Sequence, residues 1–240
     1  RLTPPEVKVS TFDKNTLLKV ASFLCKLIPD SLNKIAFITS YIKPKDLFCL
    51  QVSLGQMPYL SINEVRMKFP AVDESMRSQI QIPTGKNQFE SILPTWINQQ
   101  IPKVYIEGYS SMVRMARKAY PKKPRIIFTA NALIGNESFK LWTGENVEKG
   151  VKLVGTQHGG GHGIARWTSS ETHEVKVADR YFTWGWRDTD DQTIVPLASS
   201  RLSSGRDKIK NNPSGKILWT GLSIPRYSYW LYSSPVGPQY

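Results

Sequence analysis

The sequence predicts an α/β protein built on a Rossmann-like parallel sheet with flanking helices. Three observations predict it: short apolar runs at residues 124–130, 151–155, 180–184 and 216–221, helix-period segments between them, and a glycine-rich stretch directly after the second run. Strands separated by helices pair in parallel through crossovers, here expected in the doubly wound manner. Such sheets bind ligands at the carboxyl ends of their strands.

The elements follow in chain order. Residues 15–27 carry Leu17, Leu18, Val20, Ala21, Leu24 and Cys25 at three-and-four spacing, an amphipathic helix that Pro29 and Asp30 end. Residues 31–42, with Leu32, Ile35, Ala36, Ile38 and Ile42, predict a second short helix that stops before Pro44. Residues 55–85, punctuated by Pro58, Pro70 and Pro83, read as a long connection with short strands. Phe89, Ile92, Leu93, Trp96 and Ile97 predict a helix over 87–99; Ile101-Pro102 turns the chain, and a further helix covers 108–120. The run PRIIFTA at 124–130 is a buried strand, and 137–148 is a helix closed by Gly150. VKLVG at 151–155, a helix ending near Asp179, RYFTW at 180–184 and KILWTG at 216–221 complete the pattern.

Composition narrows the class. A chain 40% hydrophobic and 21% charged can bury a core, which excludes a disordered or fibrous protein. No apolar run reaches the roughly 18 residues of a spanning helix. Cys25 and Cys49 lie in apolar stretches and are expected to be buried free thiols in a reducing compartment, so the protein is expected in the cytoplasm. The net charge of +13 attracts anionic partners, which extends the expectation to peripheral contact at the anionic inner face of the membrane. The basic residues form small groups, such as Lys122, Lys123 and Arg125, rather than one stripe, so no specific nucleic-acid groove is expected. The chain is expected to be a piece of a longer protein. Residues 1–205 would form one domain with a helical N-terminal part, residues 202–215 a linker rich in Ser, Gly, Asn and charge, and residues 216–240 the incomplete opening of a second domain.

The chemistry concentrates at residues 156–163, Thr-Gln-His-Gly-Gly-Gly-His-Gly, where four glycines and two histidines follow a predicted strand. Glycines without a Cβ let backbone N–H groups approach a ligand and form an anion-binding concavity, which selects Gln157, Gly159, Gly160, Gly161 and Gly163 as substrate- or phosphate-binding candidates. The stretch matches neither the phosphate loop ending in Gly-Lys-Ser/Thr nor the dinucleotide fingerprint. His158 can serve as a general base, as a cation against phosphate, or as the cap of a tight turn. All three histidines lie within residues 158–173. The glycines between His158 and His162 disfavour a helical two-histidine metal face, and no metal is expected; Glu171, His173 and Glu174 are the nearest further ligands. Glu174 offers a carboxylate for acid–base work. Trp167, Tyr181, Trp184 and Trp186 supply aromatic rings of the kind that stack sugars or bases, although core packing also explains Trp184. Asn131 follows the strand at 124–130 and reaches the same sheet edge; Tyr105 and Glu107 follow Pro102.

Taken together, Thr156-Gln157-His158-Gly159-Gly160, Trp167, Glu174, Asp179-Arg180-Tyr181 and Trp184-Gly185-Trp186 resemble the transferases of bacterial O-antigen and surface-carbohydrate loci. Ile101-Pro102-Lys103 with Glu107, Asn131 with Phe139 and Trp142, and residues 217–221 followed by Pro225-Arg226-Tyr227 extend the resemblance over residues 93–240. His162 stands where the family pattern carries an aromatic between the glycines. The resemblance implies a GT-B-like glycosyltransferase, with residues 1–205 as its acceptor-side Rossmann-like half and residues 216–240 as the incomplete start of its nucleotide-sugar-binding half. Its partners would be a nucleotide sugar and a glycan acceptor, with no permanently bound cofactor. In that chemistry the leaving phosphate must be stabilised and a proton removed from the acceptor hydroxyl. His158 with the amides of Gly159 to Gly161 suits the first task, and Glu174 or Glu107 the second. The alternatives are a metal-assisted hydrolase or phosphotransferase using the His158/His162 loop, and a binding module for nucleic acid or anionic lipid.

Overall fold

A computed structural model of the chain describes residues 29, 32–59, 70–81, 83, 87–164, 168–203, 205, 206 and 215. The chain divides into two compact units, residues 1–204 and 205–240, and nearly all described residues belong to the first. The helix expected at 15–27, the strand at 216–221 and Trp167 lie outside the described residues.

The first unit is an α/β structure around a five-stranded parallel sheet. Its strands are β1 (Ile35–Ile38), β2 (Ile126–Thr129), β3 (Lys152–Thr156), β4 (Arg180–Thr183) and β5 (Ile194–Pro196). The order runs β1-β2-β3-β4-β5 without reversal. The reversal that defines a doubly wound sheet is therefore not found among the described strands, and the coarser expectation of a parallel sheet with flanking helices is the one met.

Between β1 and β2 lie α1 (Pro44–Ser53), α2 (Glu74–Ser78), α3 (Gln88–Gln100) and α4 (Tyr109–Ala119). α5 (Ala132–Gly135) and α6 (Glu137–Val147) join β2 to β3, α7 (Ser169–Val177) joins β3 to β4, and α8 (Ser200–Ser203) follows β5. Caps explain several boundaries. Asn87 accepts from Glu90 N to start α3, Asn136 accepts from Phe139 N to start α6, and Gly150 at φ +88° follows its last turn.

Three further expectations need correction. The stretch 55–85, read as a connection with short strands, holds α2 and no strand among its described residues. The helix predicted over 31–42 contains β1 instead: Ile-Ala-Phe-Ile is a continuous apolar run, and Ala36, Phe37 and Ile38 are all buried. A strand covered on both faces has no alternation, so its residues also satisfy a helical template. Cys49, expected in the interior, is an exposed free thiol on α1.

The core sits against the amino-terminal half of the sheet. Ile127 and Leu153 pack with Phe139 and Trp142 of α6 and with Ala116 and Tyr120 at the end of α4. Tyr120 stacks on Trp142 with ring centroids 4.9 Å apart. No helix among the described residues is long and apolar enough to cross a membrane.

Candidate active site

β3 delivers the glycine-rich stretch to the sheet edge. Beyond Thr156 the pairing with β4 continues for one residue, Gln157 N donating to Phe182 O at 2.8 Å. The buried Gln157 carboxamide then folds the loop back on itself. Its Nε2 donates to Gly159 O (2.7 Å) and His162 O (3.4 Å), while its Oε1 accepts from Trp184 N (2.8 Å) and Trp186 Nε1 (3.0 Å). Gln157, expected to bind substrate, thus spends its donors and acceptor on protein partners, and Trp186 is one of them.

The turn that results aims both loop histidines at one carboxylate. His158 Nε2 lies 3.1 Å from Glu174 Oε1, and His162 Nε2 lies 3.5 Å from Glu174 Oε2. Tyr181, buried on β4, donates its hydroxyl to Glu174 Oε2 at 2.9 Å. Glu174 itself is 1% exposed on α7. Burial alone would push its carboxyl up, but the hydrogen bond from His158, the imidazole of His162 and the Tyr181 hydroxyl outweigh it and hold the group below its usual value. Burial and the Glu174 charge push the Tyr181 hydroxyl the other way, well above the ordinary phenol range, so it stays a donor. An ionised carboxylate can only accept; the hydrogen of neutral His158 therefore sits on Nε2, and Nδ1 keeps the free lone pair. That is the arrangement of a base held by an orienting acid.

Two glycines make the arrangement possible. A Cβ on Gly155 would come within 2.7 Å of the Tyr181 ring, so only glycine lets Tyr181 lie against β3. Gly163 has φ +77°, and a Cβ there would meet the Trp186 ring at 2.6 Å; its amide donates to Glu171 Oε2 at 2.8 Å. Gly160 and Gly161 differ, since a Cβ on either would meet nothing within 4 Å. The amides of Gly159, Gly160 and Gly161 have no hydrogen-bond partner among the described residues.

Asn131, leaving β2, donates its Nδ2 to the hydroxyl of Tyr41 at 2.5 Å, and the rings of Tyr41 and His158 stand nearly perpendicular with centroids 6.3 Å apart. Residues from the ends of β1, β2 and β3 therefore meet at His158. Glu107 keeps different company. Both its oxygens bind the buried Arg77, at 2.7 and 3.0 Å, and Asp73 N donates to it at 3.1 Å. Arg77 in turn donates to Asn98 O, Gln99 O and Ile101 O at the end of α3. The hydrogen bond from Arg77 overrides burial and holds the Glu107 carboxyl down at about 2. Tyr105 donates its hydroxyl to Glu137, and His173 is exposed on α7, outside the His158–His162–Glu174 cluster.

Sequence reasoning did not single out Tyr41, which it assigned to a helix, nor the role of Tyr181 as a hydrogen-bond donor. A buried tyrosine whose strand neighbours a glycine is a signal for the second; nothing in the sequence signals the first.

A parallel α/β sheet that gathers an imidazole–carboxylate pair and glycine amides unpaired among the described residues at its carboxyl edge has the layout of an enzyme. The chain belongs to a family described as LIC12162 family transferase, whose profile matches residues 5–240, so it is a transferase. No curated protein and no solved structure matches it.

Proposed function

We propose that this transferase moves a glycosyl group from an activated nucleotide donor to a bacterial surface-polysaccharide or O-antigen acceptor, in a GT-B-like architecture. The observation that carries the reading is the His158–Glu174 pair, held at 3.1 Å beside glycine amides that have no partner among the described residues. Glycosyl transfer from a nucleotide needs two things at one place: a base for the acceptor hydroxyl and fixed dipoles for the departing phosphate. His158 Nδ1 is the base, Glu174 orients the imidazole and stabilises it once protonated, and the amides of Gly159 to Gly161 meet the phosphate. Glu107, saturated by Arg77, serves the scaffold in this reading. The net charge of +13 supports work at the anionic inner face of the membrane, on the cytoplasmic side where nucleotide donors are made.

Titration calorimetry of the intact protein with CMP, UDP and GDP tests this reading. Saturable binding of one nucleotide class supports it and names the donor class; no binding of any sinks it.

One observation favours a second reading, a metal-assisted hydrolase or phosphotransferase. His158, His162 and Glu174 each offer a ligand atom, all within 4.8 Å of one another, and His162 Nε2 is buried without a hydrogen-bond partner among the described residues. The two readings divide on His158 Nε2, which carries a proton in the first and a metal in the second. Stoichiometric metal in the purified protein, with activity lost on chelation and restored by the ion, selects the second.

A further inference from the structure

We propose that Tyr41 forms the binding platform for the sugar ring of the donor at His158, a subsite that rests on the glycosyl-transfer reading above. Thr39 and Tyr41, immediately past β1, have φ values of +48° and +58°. A β-branched and an aromatic residue in the left-handed region within one tripeptide is rare, because the Cβ crowds the following carbonyl. Such conformations persist only where the surroundings fix them, and they cluster at ligand sites.

The surroundings here do fix them. Thr39 O accepts from Ala130 N at 3.1 Å, extending the β1–β2 pairing past the strand. Ser40 is buried, and its Oγ accepts from Ile42 N at 3.4 Å. The Tyr41 hydroxyl accepts from Asn131 Nδ2, which ties the ring to the end of β2.

Core packing does not explain the strain, because Tyr41 is 40% exposed. What the conformation achieves is position: an exposed aromatic ring next to the ring of His158, 6.3 Å away between centroids. Apolar faces of sugar rings stack on exposed aromatic rings. The occupant follows from the neighbours. Phosphates held by the glycine amides bring the sugar they carry to His158, and Tyr41 is the ring already beside His158. A nucleobase, separated from the reacting carbon by a ribose and the phosphate linkage, belongs farther off.

The test compares each free nucleotide, UDP, GDP and CMP, with a set of its nucleotide sugars by titration calorimetry on the intact protein and two variants. Tyr41→Ala is expected to weaken the nucleotide sugar about tenfold while leaving the free nucleotide unchanged. Tyr41→Phe, which keeps the ring, is expected to stay within about twofold of the native protein for both. Binding of the free nucleotide by Tyr41→Ala also shows that the variant is folded. Equal weakening of nucleotide and nucleotide sugar, or no weakening of either, overturns the platform and leaves the transfer reading standing. If the native protein binds neither, the transfer reading fails and the platform with it.

Discussion

Glu174 divides its carboxylate between two elements: one oxygen lies 3.1 Å from His158 Nε2 in the loop after β3, the other accepts from the Tyr181 hydroxyl of β4 at 2.9 Å. One buried side chain therefore fixes the imidazole and couples it to the sheet.

Replacing Glu174 with glutamine keeps the shape and removes the charge that stabilises a protonated His158. The expected result is a fall in turnover on the order of 10²-fold, with circular dichroism and nucleotide affinity close to native. Unchanged turnover would separate Glu174 from the chemistry.

The ion pair of Glu107 with Arg77 predicts a pH dependence of stability. A carboxyl whose folded value is depressed binds its proton less readily in the native state, so its contribution is present above the ordinary value of 4.5 and lost as pH falls toward about 2. Glu107→Gln should therefore melt several degrees lower than native at pH 7, with the gap closing as pH drops below 4.5, and should bind nucleotide as the native protein does. A gap that is constant with pH, or a loss of nucleotide binding, contradicts a scaffold role.

The glycines of the loop separate into two groups by the same substitution. Gly163→Ala forces a Cβ into Trp186 at a positive φ and is expected to cost about 1–3 kcal/mol of stability. Gly160→Ala meets no protein atom and should melt as native, yet weaken nucleotide binding if a phosphate rests on that amide. Thermal melts and titrations of the pair check this. Native-like affinity in Gly160→Ala removes the phosphate from that position.

Much of this was legible in the sequence because local pattern and tertiary role agreed. The apolar runs before Ala130, Thr156 and Trp184 are strands within a residue or two of where the sequence puts them, and the helix between the first two has the Asn136 cap and Gly150 at its ends. β1 was not legible because a doubly buried strand carries no alternation. β5, only Ile194–Pro196, is too short to signal itself. Within the site, the histidines, Glu174 and Asn131 were singled out by type and spacing. Their mutual geometry was not, because sixteen residues separate His158 from Glu174 and only the turn closed by Gln157 brings them together. The pairing of Arg77 with Glu107 spans thirty residues, and neither neighbourhood in sequence hints at it.

Turnover of the nucleotide sugar that the protein binds tests whether His158 is the base of the proposed glycosyl transfer. With nucleotide release as the readout, His158→Ala is expected to bind the free nucleotide within about threefold of native while turnover falls at least about 100-fold. Native turnover in His158→Ala would contradict it.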